Sequence, residues 1–403
     1  MPLRLLIFFP SITFGILSSE IFPWAFLCTI IFYFRKFIND IFVLTCILFF
    51  PILLGLFSDI PLLRLITSYA SYLNALSGFL IMLYSTKEDI NNFFKLAKLA
   101  FGIHVIVSLI QILSPFELNF LQSIVPRVST EIDLRGVSGL SAEPARQAIV
   151  LNLIFSVIIA YQHIFKGIDV KFIFFTLLFF LFLMFVNRSF TGLLFFLINL
   201  ITILFLTRKI FLGFLFALGI ISILPFFYFQ LSLYADESRV FQIINLLINS
   251  DSQLVVQAIL LSSGFRIATF LAVWSEFRFF GSGIGNWTEA LNNSFSNNIF
   301  LNEFVSNSAY NRIIFDSVRP SSITSSLYLE GGLISVILIF AFLILKATQR
   351  FKGIVFKLDN IMMIILPIFS IVFLGNIGSP IQWICLGIIL NLIFYNQSLL
   401  GQK

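Results

Sequence analysis

The sequence predicts an all-α polytopic membrane protein of about twelve transmembrane helices, with a large outer loop that carries interfacial helices of its own. Three observations predict it. Hydrophobic residues make up 59% of the 403 and charged ones 11%, with 54 phenylalanines, a mix that soluble domains of this length do not carry. Apolar runs approaching the roughly 20 residues needed to cross about 30 Å of hydrocarbon recur along the whole chain. Every lysine, finally, falls in connections that an in-and-out reading puts on one side of the bilayer.

The predicted spans are 3–18, 20–34, 41–57, 66–85, 96–114, 147–165, 171–186, 191–207, 210–229, 326–345, 360–376 and 379–396. The N-terminal Met1 to Arg4 followed by an apolar run imitates a signal peptide. No small-residue cleavage site follows Ile16 to Ser19, so an uncleaved first helix is expected. The chain reads as a single integral membrane domain over 1–403, because the bilayer takes the place of one packed core. No internal repeat is visible.

With both termini cytoplasmic, the inner connections collect Arg35 and Lys36, then Lys87, Lys95 and Lys98, then Lys166 and Lys171, then Arg208 and Lys209, then Lys346 to Lys357. This is the asymmetry expected of cytoplasmic loops. The net charge of +6 therefore belongs to membrane topology, and no nucleic-acid partner is expected. The outer side receives arginine alone: Arg64, Arg127, Arg135, Arg146, Arg188, Arg239, Arg266, Arg278, Arg312 and Arg319. A guanidinium holds phosphate or carboxylate with a planar fork and is more weakly hydrated than an ammonium. Pairing with outer acids, such as Arg127 with Glu131 or Arg135 with Asp133, is the structural alternative. It covers Arg146 and Arg188 less well, since both stand at helix ends where a stray charge at bilayer depth costs up to about 3 kcal/mol.

Two outer loops stand out by length, 115–146 and 230–325, both far longer than ordinary connections between neighbouring helices. In the second, 238–261 and 265–280 have the spacing of helices lying on the membrane. The Gly, Asn and Ser content between Gly281 and Arg312 predicts loop.

Metal chemistry finds no ligand set. His104 lies inside an apolar run and His163 near a cytoplasmic helix end, neither with an acidic or cysteine partner at ligand spacing. Cys28, Cys46 and Cys385 sit singly in apolar runs as small core residues. No phosphate loop, nucleophile elbow or paired-acid motif is present, so neither a metal nor another cofactor is expected and a cytoplasmic nucleotide donor is disfavoured.

The residues that remain form four pieces. The first is RGVSGLSAEPARQA, Arg135 to Ala148, in which Glu143 precedes Pro144 at a helix start and Arg146 follows within the first turn. A dipole-favoured helix-start acid is the structural reading of Glu143. The second is NRSFTG, Asn187 to Gly192, a short outer turn that holds Arg188 at the rim, where snorkelling is the alternative. The third is SGFRIATFLAVW with GSGIGNW, containing Arg266, Trp274 and Gly281 to Gly285. The fourth is RPSSITSSLYLEGGL, Arg319 to Leu333, with Glu330 inside the first turns of a helix. An acid there is a functional candidate or the structural partner of an arginine.

Taken in order, these pieces resemble the O-antigen polymerase and O-antigen ligase superfamily of bacterial surface polysaccharide assembly. The matching marks are Arg135 with GLSAEP, Arg188 with Ser189, Arg266 with Trp274 and Gly281 to Gly285, and Glu330 to Gly332, over roughly residues 95 to 345. The resemblance implies a GT-C-like membrane glycosyltransferase of the bacterial cytoplasmic (inner) membrane. Its substrates would be polyprenyl-diphosphate-linked oligosaccharides, joined on the outer leaflet against membrane lipid, with a chain-length regulator and a flippase as working partners. On this reading Arg266 and Glu143 are catalytic, and Arg135, Arg146, Arg188 and Arg319 bind substrate. Ligases of the superfamily carry a histidine ahead of the E-x-G helix. Here Ser321 or a neighbour stands in that place, which favours a polymerase over a ligase. A flippase or transporter of lipid-linked sugars is the rival of a different class and needs a polar path through the bundle.

Overall fold

A computed structural model describes residues 2–12, 23–113, 125, 136–208, 266–298, 320, 322–353, 357–375 and 378–400. The described residues are mostly helical, and no strand occurs among them. In chain order the helices are α1 Pro2–Leu6, α2 Trp24–Leu56, α3 Leu62–Tyr84, α4 Lys87–Leu113, α5 Pro144–Phe165, α6 Val170–Phe182, α7 Phe190–Thr207, α8 Arg266–Trp274, α9 Trp287–Asn297, α10 Ile323–Arg350, α11 Leu358–Phe369 and α12 Ile381–Leu400. Single π-turns, Leu183–Asn187 and Ser370–Leu374, extend α6 and α11.

Among the described residues, eight helices are long and apolar enough to cross a bilayer, and Leu358–Phe373 is a shorter apolar one. They match the predicted spans from α3 onward, apart from 210–229, which lies outside the described residues. The three N-terminal spans differ from expectation. Helix α1 stops at Leu6, and Ile7 to Ile12 run on as buried turns; Pro10 lacks the amide that a continuing helix requires. Spans 20–34 and 41–57 meet in one continuous element, α2, broken only at Tyr33 (φ −135°, ψ 19°). The backbone amide of Phe26 donates to Asn74 Oδ1 at 3.0 Å, so the piece of α2 before the break begins level with the middle of α3.

The bundle has two chemically distinct ends. At one, Lys346 pairs with the buried Asp40 at 2.7 Å, Arg4 with Asp89 at 2.7 Å and Arg208 with Asp359 at 3.2 Å. Arg350 donates there to Ser85 O and to the Tyr395 hydroxyl, each at 2.9 Å. Helices α3, α5 and α12 are the most enclosed, while much of α2 and α4 faces outward. In lipid such contacts rest on close packing more than on hydrophobic transfer. Gly78 lets α3 approach Pro380 and Ile384, and Gly387 accommodates Met82. Phe101, Phe155, Phe179 and Phe196 interlock α4 to α7.

Helix α9 corrects the loop expected between Gly281 and Arg312. Ala290, Leu291, Ser294 and Phe295 are buried on one face of it, an i, i+1, i+4, i+5 set that makes an amphipathic helix. Of the interfacial helices expected in the large outer loop, α8 forms over part of 265–280, and 238–261 lies outside the described residues.

Candidate active site

The end opposite the lysines is built around Gly136 to Gln147. Gly136 and Gly139 both take positive φ, 80° and 54°, which glycine adopts without steric cost. A side chain at Gly136 would collide with the Asn187 carbonyl and lie 2.8 Å from Arg188 Cβ. The segment is tied down by its own amides: Val137 donates to Val186 O at 3.2 Å and Gly139 to Gln111 Oε1 at 2.8 Å. Glu143, extended and exposed, then caps α5 without a side-chain capping bond, and Pro144 takes the first turn, the position where proline's missing amide costs nothing. Arg146 is half-buried one residue before the fully buried Gln147.

Against this segment sits the π-turn after α6. Arg188 closes it in the left-handed conformation (φ 52°, ψ 34°), which costs a side-chain-bearing residue about 1–2 kcal/mol. Its amide donates to Leu183 O at 2.9 Å and its Nε to Phe185 O at 3.2 Å. Ser189 then accepts from Gly192 N at 3.2 Å and starts α7, a side-chain N-cap. Glu143 at the cap of α5, Arg146 in its first turn and Arg188 thus stand on neighbouring elements of one rim. Arg135 lies outside the described residues.

The second part of this end is the assembly of α8, α9 and the start of α10. Arg266 opens α8. Ile267, the next residue, packs against both the main core and the small core of this assembly. Trp274 stacks on Tyr328 with centroids 4.4 Å apart and planes 5° from parallel, and its Nε1 donates to Ser325 Oγ at 3.1 Å. Ser322 caps α10 by accepting from Ser325 N. Arg319 lies outside the described residues.

The glycine segment of the third piece has a structural task. Ser282 N donates to Leu329 O at 3.0 Å, Gly283 N to Glu330 O at 2.8 Å and Ile284 N to Pro51 O at 2.9 Å. Those amides are consumed by backbone, so the turn does not expose them to a ligand. In return α10 is unwound at Gly332 (φ 73°, ψ −178°), where Leu333 N donates to Arg278 O at 2.9 Å. Glu330, 1% exposed, accepts from the buried Tyr72 hydroxyl at 2.6 Å. That bond ties it to a tyrosine of α3.

Two arginines at this end serve structure. Arg64 lies 3.8 Å over the Trp287 ring and donates to Thr288 Oγ1. Arg278 pairs with Glu276 and donates to Ser294 Oγ at 2.8 Å. Burial pushes the Glu276 carboxyl up, but hydrogen bonds from Asn297, Arg278 and Ser294 and the Arg278 charge outweigh it and hold the group below its ordinary range. His104 is buried, stacked on Phe9 with Nε2 at 3.2 Å from Phe8 O.

Sequence reasoning missed three residues of this end, Tyr72, Gln147 and Asn187, each a polar side chain inside or beside an apolar run. Their only sequence signal is polarity where lipid or core was expected. No family model, no curated protein and no solved structure matches this chain.

Proposed function

We propose that this chain is a metal-independent membrane glycosyltransferase that polymerises lipid-linked oligosaccharide repeat units. On this reading it works on the outer face of the bacterial cytoplasmic membrane, with both termini inside. It transfers a glycan from polyprenyl diphosphate to a hydroxyl of the acceptor repeat. The observation that supports the reading is the rim opposite the lysines: Glu143, Arg146 and Arg188 gathered on adjoining elements, with Arg266 opening α8.

The chemistry asks for little else. A departing diphosphate develops charge that fixed cations stabilise most effectively where water is partly excluded. Arginines supply that charge without a metal, and their forks match phosphate oxygens. Arg266 and Arg146 are assigned to the diphosphate, with Arg135, Arg188 and Arg319 assisting. Glu143 is exposed at a helix start, where a carboxylate can accept the proton of an incoming hydroxyl.

The test is genetic. A strain lacking this protein is rescued with wild type or with Arg266→Ala, and its surface polysaccharide is resolved on a gel. Loss of the ladder with a single-repeat band retained, restored by wild type and not by the variant, supports the polymerase. Accumulation of long lipid-linked chains without transfer to a final acceptor would indicate a ligase instead. An unchanged glycan would remove the reading for that polymer.

A further inference from the structure

Directly beneath Arg188 lies a buried hub of side-chain amides. Asn187, fully buried, directs Nδ2 to Pro144 O at 2.9 Å, to Gln147 Oε1 at 3.1 Å and to Val137 O at 3.4 Å. One amide thereby joins the π-turn, the first turn of α5 and the Gly136 segment. Gln147, equally buried, passes the connection on: its Nε2 donates to Ser108 Oγ and, at 3.3 Å, to His104 O. The atoms that accept from Asn187 Nδ2 are all oxygens, and Gln147 uses its oxygen and nitrogen in opposite directions. The polarity of the chain of bonds is therefore fixed.

The hub surrounds a residue that the fold alone does not need to be arginine. Glycine or asparagine adopts the left-handed conformation at lower cost. Among the described residues, the Arg188 side chain bonds only through Nε, to a carbonyl of its own π-turn. The terminal Nη atoms, which form the fork that grips an oxyanion, have no protein partner among those residues. A strained backbone persists where its surroundings over-determine it, and here the surroundings are Asn187, Gln147 and Gly136.

We propose that Asn187 and Gln147 are positioning residues that hold Arg188 in its left-handed conformation, so that its fork meets a phosphate oxygen of the lipid diphosphate. The proposal rests on the polymerase reading for its ligand. It assigns the hub no contact with substrate and no proton transfer. Asn187 sets the backbone from which the guanidinium projects, and Gln147 sets Asn187.

A double-mutant cycle tests it, with the full chain in lipid nanodiscs and farnesyl diphosphate as the binding probe. Arg188→Ala is expected to weaken binding about tenfold, and Asn187→Ala nearly as much. The double variant should bind no worse than Arg188→Ala alone, because the hub acts only through the arginine. Thermal unfolding, read in parallel, corrects each Kd for the folded fraction. Gln147→Met, which leaves Asn187 its bonds to Pro144 and Val137, carries the same cycle in milder form.

Binding that Arg188→Ala weakens but the hub variants leave unchanged would overturn the positioning role and leave the polymerase reading standing. Effects that multiply in the double variant would overturn it as well, marking the hub as an independent structural element. Binding indifferent to Arg188→Ala would remove both the role of Arg188 and this inference.

Discussion

The hydroxyl of Tyr72 donates to Glu330 Oε2 at 2.6 Å inside the bundle, both residues almost wholly buried. The bond joins α3 to α10 one residue before Gly331 and two before the unwound Gly332. Glu330 also offers its carbonyl to Gly283, so a single residue anchors the glycine segment and the helix beneath it. Tyr72→Phe removes a buried donor to a carboxyl and is expected to cost about 1–3 kcal/mol. Glu330→Gln keeps an acceptor at the same place and should cost less. Thermal unfolding of the purified variants in one detergent checks the order.

The glycines of this junction give a sharper contrast. At Gly283 (φ 96°) a Cβ would meet Leu54 C at 2.8 Å and Gly55 Cα at 2.9 Å, whereas at Gly102 nothing lies within 4 Å. Gly283→Ala is expected to destabilise the protein by more than 1 kcal/mol, roughly the cost of backbone strain alone. Gly102→Ala, inside α4, should stabilise by up to about 1 kcal/mol through helix propensity. Comparison of the two unfolding temperatures tests the docking of the glycine segment.

Among the described residues, two arginines take the left-handed conformation, Arg188 at the rim opposite the lysines and Arg208 at the lysine end. In each, glycine relieves about 1–2 kcal/mol of steric cost and gives back about 1 kcal/mol in chain entropy. Neither Arg188→Gly nor Arg208→Gly should change the unfolding temperature much. Glycan elongation should fail in Arg188→Gly and survive in Arg208→Gly, whose exposed side chain pairs with Asp359. Loss of elongation in both variants would contradict a special role for the outer arginine.

Glu276 carries the pH dependence of the α8 and α9 assembly. Its folded pKa lies below the ordinary value of 4.5. A depressed carboxylate adds stability that is present above the unfolded pKa and is lost as pH falls through the folded one. Tryptophan fluorescence of Trp274 and Trp287 should therefore hold steady at neutral pH and report loosening only below about 4.5. In Glu276→Gln that acid-dependent step should flatten.

Much of the bundle was legible because lipid imposes long apolar runs and lysines mark one side. The start of α5 was legible too, since Glu143 and Pro144 carry a positional meaning of their own. Helix α9 was not, because its Asn and Ser content spoke for loop while its apolar period spans only Trp287 to Phe295. The early end of α1 followed from Pro10, a residue that a hydropathy run passes over. Within the site, Glu143 and the outer arginines could be singled out by charge. Asn187, Gln147 and Tyr72 could not, since their partners lie 40, 40 and 258 residues away, and single-sequence patterns carry no contacts of that range.

The central claim is tested most directly by reconstitution. The purified full chain in nanodiscs is given a polyprenyl-diphosphate-linked repeat unit in the presence of a metal chelator, and the products are separated by length. The account predicts a ladder of lipid-linked oligomers that forms without divalent metal, is lost in Arg266→Ala and is strongly reduced in Glu143→Gln. Recovery of the repeat unit unextended by the wild-type protein, under conditions where it binds that lipid, would contradict it.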